Sequence, residues 1–271
     1  MKKWVIVGPA HPLRGGIAAL NERLAQALAT AKEIVRIESF SLQYPDFLFP
    51  GKTQYSDSPP PKDLHIDTSI NAISPLNWWK IGNKIARERP DCVVFRYWLP
   101  FMSPCLGTIA RLVRRNGHTV VLCIADNILP HEKRLFDTSL TQYFVSAIDG
   151  FLSMSQSVLD DLALFDTTKP RTLAPHPLYD HFGEKMPRSE ALTRLQLPDT
   201  ARYLLFFGLI RDYKGLDILL EAFATLRTQY NSVKLIVAGE FYADPSSYLK
   251  QIAALGLEEH LILHDRYIPD E

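Results

Sequence analysis

Residues 206–223 read FFGLIRDYKGLDILLEAF. An apolar strand runs into a loop holding Arg211 and Lys214, with Gly208 and Gly215 around them, where a helical pattern begins. Strand, glycine-bounded loop and helix in this order make a βα unit, the building block of a parallel sheet. Simple electrostatics puts the two cations out of place, because a helix start carries partial positive charge and favours anions. Asp212, an acid in the first turn, supplies part of the compensation. An anionic ligand would supply the rest. Arg211 offers a planar fork of donors and Lys214 a compact charge, and together they can hold a diphosphate from two sides. A solvated polar turn is the plainer reading of the same residues.

Downstream the pattern continues with a helix over 215–230, the strand VKLIVAGE (233–240), a helix over 245–255 and the strand LILHDRYI (261–268). Upstream the same alternation holds. KWVIVG (3–8) reads as a buried strand, and residues 15–31 as a helix with Ile17, Leu20, Leu24 and Leu28 on one face. Further strands are expected at 34–40, 91–98, 118–126 and 150–155, with helices around 75–89, 103–116, 136–147 and 157–165. Strands separated by helices predict α/β architecture with parallel sheets covered on both faces. Residues 44–62 are rich in Pro, Ser and Asp and read as a loop, and 172–199 as a linker with one short helix. Two domains follow, 1–177 and 178–271, each Rossmann-like, the second holding only half of a doubly wound sheet.

At 271 residues the chain suits two domains of ordinary size. Thirty basic residues balance thirty acidic ones, which disfavours a nucleic-acid partner, since phosphate-backbone affinity needs a basic excess. Cys92, Cys105 and Cys123 show no paired spacing of a zinc site or disulfide framework, as expected of a reducing cytoplasm. No apolar run reaches membrane-spanning length. Contact with a membrane surface is left open by Trp78 and Trp79, which precede Lys80, Lys84, Arg87 and Arg89. The preferred reading has one Trp packed on the sheet and the basic residues solvated.

In open parallel sheets ligands bind beyond the carboxyl ends of strands. The first such loop, GPAHPLRGG (8–16), lacks the dinucleotide-binding glycine spacing, but Gly15-Gly16 open a helix where backbone amides can meet an anion. A loop needing positive φ is the structural alternative. The loop after the fourth expected strand groups Asp126, Asn127, His131 and Glu132, which can bind sugar hydroxyls, place an acid or base near neutral pH, or form a plain turn. His131 and Glu132 are not a metal signature, having no second histidine at i+4. Glu240 ends a strand beside Gly239, a place for close ligand approach or a simple turn. No nucleophile elbow or Walker loop is present, which weakens hydrolase and kinase readings.

GGIA at 15–18, FFGLIRDYKGLDILLEAF, LIVAGEF at 235–241 and YIPDE at 267–271, in this order and spacing, resemble glycosyltransferases of the GT-B fold, most closely family 4, glycosyl transferases group 1. RYWLPF (96–101) and DNILPHE (126–132) are similar to the same family. The resemblance implies two Rossmann-like domains, acceptor contacts mainly from the first and a nucleotide-sugar donor held mainly by the second. It implies a metal-independent, retaining enzyme without cofactor, taking a sugar or glycoconjugate acceptor, with a role in polysaccharide assembly. It implies that Arg211 and Lys214 neutralise the donor diphosphate, that Gly15 and Gly16 lie over it, and that Gly208, Gly239 and Glu240 belong to the donor site. Arg96, Asn127 and Glu132 are the corresponding acceptor-side candidates.

Two departures qualify this. Many family members carry a His at the end of the fourth strand of the first domain, where this chain has Asp126, with His131 five residues on; both are carried as contacts to the reacting sugar. Family members also continue past the PDE stretch into a motif with two glutamates, so the chain is expected to be either a shortened form of a longer enzyme or a natural short protein with an incomplete donor site. A nucleotide-sugar epimerase of similar architecture and an inactive binding module are the competing readings.

Overall fold

CVVFRY (92–97) is buried along its whole length and KWVIV over its second half, a pattern that needs a sheet covered on both faces. The computed structural model describes residues 1–45, 53–56, 58–129, 135–178 and 184–268. Its contacts divide the chain into two compact units, Met1–Leu48 with Gln54–Pro177, and Leu178–Glu271 with Phe49–Thr53.

In the first unit, β1 (Lys3–Val7), β2 (Ile34–Leu42), β3 (Ile66–Asn71), β4 (Cys92–Tyr97), β5 (Val120–Ala125), β6 (Gly150–Ser153) and β7 (Arg171–Leu173) form a parallel sheet in the order β3-β2-β1-β4-β5-β6-β7. The order reverses between β1 and β4, whose carboxyl ends therefore flank the crevice where doubly wound sheets take ligands. The edge strands β3 and β7 lie outside the expected set. IDTSIN is polar at alternate positions, and RTL has only three residues within the stretch read as linker, so neither carries the apolar run of a central strand.

Helices α1 (Gly16–Thr30), α2 (Pro75–Glu88), α3 (Ser103–Arg114), α4 (Asp137–Val145) and α5 (Gln156–Leu162) connect these strands. The α1 stripe differs from the expected leucine face. Its fully buried positions are Ala18, Asn21 and Ala25, with Leu24 and Leu28 packed at the flank. Small residues let the helix lie close to the sheet, and the buried Asn21 amide donates to the Pro9 carbonyl at 2.8 Å.

Ser74 caps α2 by accepting from the Asn77 amide, Pro75 occupies its first turn, and Arg89 in the left-handed region followed by Pro90 ends it. Gly82 is required there, because a Cβ would lie 2.6 Å from Leu112 of α3. Trp78 packs against the core and donates to the Asn71 carbonyl at 2.7 Å, while Trp79 is exposed. Lys84 is not simply solvated: its ammonium reaches Asp67 at 2.9 Å and the fully buried Glu38 at 3.2 Å, and Arg36 and Ser69 also bond Glu38. The three cysteines are free and buried, and burial pushes the Cys92 thiol up to about 12, which leaves it inert.

The second unit holds α6 (Arg188–Arg194) and the parallel strands β8 (Arg202–Phe207), β9 (Val233–Ala238) and β10 (Leu261–His264), in the order β10-β9-β8, with α7 (Leu216–Arg227) and α8 (Ser246–Ala254) as crossovers. Leu216, Leu220 and Phe223 of α7 recur at helical spacing and meet Leu235 and Val237 of β9 in this unit's core. Burying each such side chain contributes about 1.5–3 kcal/mol. Among the described residues no helix is long and apolar enough to cross a membrane.

Candidate functional site

Beyond β8 and β9 the two chains stay side by side. The Gly208 amide donates to Ala238, the Ile210 amide to Glu240 and the Tyr242 amide to Ile210, at 2.8–2.9 Å. This extended pairing brings the loop after β8, with Arg211 and Lys214, against the loop after β9, with Gly239 and Glu240. Gly239 sits at φ +150°, and a Cβ there would lie 2.0 Å from the Gly208 oxygen, so no side chain fits. Glu240 is 9% exposed.

Residues 212–214 form one turn of 3-10 helix, and Gly215, at φ 70°, leads into α7. No side chain caps α7 from that position, so none satisfies the amides of its first turn there. The Lys214 ammonium lies 3.3 Å from where a Gly208 Cβ would stand, which places it over the glycine. Arg211 lies over the Tyr242 ring, guanidinium carbon 3.8 Å from the centroid. Its Nε is buried and has no hydrogen-bond partner among the described residues. Among the described residues neither cation has a carboxylate within ion-pair distance. The nearest acid in sequence, Asp212, accepts a hydrogen bond from the Tyr248 hydroxyl at 3.0 Å instead, and burial together with Asp212 pushes that phenol up to about 12. The compensation assigned to Asp212 from sequence is thus directed elsewhere.

In the first unit the candidates gather at the sheet's reversal point. Gly8 ends β1 in contact with both Asn21 and Arg96, since a Cβ there would lie 2.6 Å from the first and 2.9 Å from the second. Arg96, only 3% exposed, donates to Asp126 through Nε at 2.5 Å and through Nη2, a two-pronged pair across β4 and β5. The guanidinium named as an acceptor contact is therefore already engaged, and it orients Asp126. Burial raises the Asp126 carboxyl above its ordinary value, while Arg96 and the charge of His176 pull it down. His176 reaches this end of the sheet because Ala174 donates to Ser153, which pairs with Ala125.

The loop before α1 is pinned. His11 donates through its amide to Glu22 at 2.7 Å, Ala10 to the Ser39 hydroxyl at 3.0 Å, and Arg14 to the Gln54 carbonyl at 3.0 Å. Gly15 at φ 116° has nothing among the described residues within 4 Å of a notional Cβ, and α1 carries neither a side-chain cap nor an acid in its first turn. Both glycine and open space are therefore real features of that helix start. Asn127 follows Asp126 at the rim, half-buried. His131 and Glu132 lie outside the described residues.

Sequence reading missed Tyr242 and His176. Each is a single residue in a loop, and only strand pairing reveals its neighbour.

Residues 188–269, which hold every candidate of the second unit, match the family model described as glycosyl transferases group 1. The chain is 32% identical over 127 residues to a D-inositol 3-phosphate glycosyltransferase of Catenulispora acidiphila, covering 43% of this chain and 30% of that protein. It is 31% identical over 106 residues to a lipopolysaccharide 1,2-N-acetylglucosaminetransferase of Salmonella typhimurium, covering 37% and 28%. The aligned stretches thus span less than a third of those relatives' lengths. The Anabaena protein HepE, solved in complex with UDP, superposes on all of this chain and 70% of its own, with a TM-score of 0.68 and 15% identity. The fold is the Rossmann-like GT-B fold, and over residues 188–269 the chain is similar to the glycosyl transferases group 1.

Proposed function

From that likeness to group 1 glycosyltransferases, we propose that the protein transfers a sugar from a nucleoside-diphosphate sugar to a sugar or glycoconjugate acceptor. The observation that carries this reading is the pair of cations, Arg211 and Lys214, without a carboxylate partner among the described residues, beside an uncapped helix start. Cations without a carboxylate partner among the described residues, at the carboxyl end of a strand, suit a dianionic ligand.

The chemistry follows from where charge develops. As the bond between the anomeric carbon and the diphosphate breaks, negative charge grows on the leaving oxygen. Cations and amides fixed beside it then bind the transition state more tightly than the ground state. No side-chain nucleophile is required, and a metal is not part of the proposal; Gly208 and Gly239 let the ligand approach backbone, and Glu240 would meet the nucleoside. Transfer with retention is the stereochemical part of the proposal and rests on the resemblance. In the first unit, Asp126, held by Arg96, and Asn127 would meet sugar hydroxyls, with His131 and Glu132 from the same stretch, and Gly15-Gly16 would offer helix-start amides to an anion. Relatives named for inositol phosphate and lipopolysaccharide support a role in glycoconjugate or polysaccharide assembly.

The test is calorimetric titration of the chain with uridine, guanosine and adenosine diphosphates, followed by product analysis with the matching nucleotide sugars. Binding of one of them, lost in Arg211→Ala, is the expected result. Failure of all three to bind, with no change in the variant, overturns the reading. An epimerised sugar formed without any acceptor would instead assign the chemistry to epimerisation.

A further inference from the structure

We propose that Tyr242 is a positioning residue that holds the Arg211 guanidinium open for an anionic ligand, an inference that rests on the donor-site reading of this loop. Arginine has a long, flexible side chain, and an unmatched one at a surface loop ordinarily samples many rotamers. Here the guanidinium lies 3.8 Å above the Tyr242 ring centroid. Its Nε is sealed from solvent and has no acceptor among the described residues, which leaves the Nη atoms as the part of the fork a ligand would meet.

The choice of an aromatic ring matters chemically. A carboxylate would fix the arginine equally well, but it would occupy the fork and cancel the charge, as Asp126 does to Arg96. A ring face attracts the cation through its quadrupole and leaves the in-plane N–H donors unspent. Anchoring and availability are thereby separated.

The ring itself is held by backbone. The Tyr242 amide donates to Ile210 at 2.9 Å, and Ile210 bridges Phe241 in turn. Phe241 is buried against Tyr248, with centroids 5.6 Å apart, and its amide donates to Asp265 at 3.3 Å. The residue before Arg211 and the residue that supports it are thus joined by one short stretch of strand pairing.

The experiment uses the whole chain and two probes, inorganic pyrophosphate and the nucleoside diphosphate that binds, titrated calorimetrically into wild type, Tyr242→Leu, Tyr242→Phe, Arg211→Ala and the double variant Arg211→Ala/Tyr242→Leu. Tyr242→Leu should weaken pyrophosphate roughly tenfold, as loss of one partly desolvated cation–π contact implies. Tyr242→Phe, which keeps the ring, should restore nearly all of it. In the Arg211→Ala background the Tyr242→Leu change should have no further effect, since the tyrosine acts through the arginine. Wild-type affinity in Tyr242→Leu, or a loss that persists without Arg211, overturns the proposal.

If no phosphate ligand binds wild type, the donor-site reading fails, and side-chain NMR still decides the positioning claim. The Arg211 δ protons and Nε–H should be shifted upfield by the ring in wild type and Tyr242→Phe and return to ordinary values in Tyr242→Leu. Unshifted resonances in wild type would overturn it independently.

Discussion

The two units treat a cation at the end of a strand in opposite ways. In the first, Arg96 is buried and both arms of its fork used by Asp126 across the neighbouring strand, so the pair is electrically closed. In the second, Arg211 rests on a ring, Lys214 lies over a glycine, and the nearby acid Asp212 is turned to Tyr248. A closed pair contributes orientation and a structural constraint. A pair with no carboxylate among the described residues contributes charge that suits an anionic ligand. The same residue type therefore predicts loss of stability when removed from one unit and loss of binding when removed from the other.

The largest effect should come from opening the closed pair. Arg96→Leu leaves Asp126 buried without its partner, and such a change costs about 3–5 kcal/mol. Replacing both, Arg96→Met with Asp126→Leu, should return most of that stability, because no uncompensated charge remains. Denaturant unfolding of the three proteins measures this, and equal losses in single and double variants would mean the pair is not electrostatically closed.

Removing Arg211 should show the reverse. On the proposed donor-site reading, Arg211→Ala is expected to lower kcat/KM for a nucleotide sugar by about 100-fold or more, as for other groups aimed at developing charge. Its unfolding free energy should change by less than about 1 kcal/mol, the scale of a single ring contact. Donor kinetics and unfolding on the same preparation separate the two; a large loss of stability would put Arg211 in the same class as Arg96.

That contrast was only half legible in the sequence. The second-unit loop declared itself, because strand, Gly208, Arg211, Lys214, Gly215 and helix follow one another locally and each has a local physical meaning. The pairing of Arg96 with Asp126 did not, since the residues stand thirty positions apart and meet only because β4 and β5 are neighbours. Tyr242 was hidden for the same reason. Lys84 read as a solvated residue because helical spacing cannot show that β2 buries a glutamate beneath it. The strands β3 and β7 escaped notice because edge strands carry fewer apolar residues than central ones. Gly239 was noticed, but its cause, a Cβ overlapping the Gly208 oxygen, belongs to the approach of two strands.

The glycines allow a finer comparison. Gly239→Ala forces β8 and β9 apart at the site and should cost about 1–3 kcal/mol through strain and overpacking. Gly15→Ala meets no atom of the described residues and carries only the penalty of φ 116°, about 1 kcal/mol at the low end of such strain. Thermal unfolding ranks the two. A larger loss for Gly15→Ala would show that the first-unit helix start is more tightly enclosed than its open surroundings indicate.

The smallest effect concerns acid. Desolvation raises the Asp67 carboxyl, but hydrogen bonds from Lys84 and His65, with the charges of Lys84 and Arg36, outweigh it and leave the group below its ordinary value of 3.8. A carboxyl depressed in the folded state stabilises above the unfolded value and loses that contribution as pH falls through the folded one. The expected window is therefore below pH 3.8. Asp126 has the opposite sign: burial raises it, so stability declines as pH climbs from 3.8 toward the raised value. Asp67→Asn should flatten the acid limb of the stability curve by on the order of 0.5 kcal/mol, the scale of a partly exposed ion pair. Amide exchange places the change: protection should differ between wild type and variant in β2 and β3 and be indistinguishable in β8 and β9. An equal response in both sheets would mean that the acid limb reports the whole chain and not the first unit's closed charges.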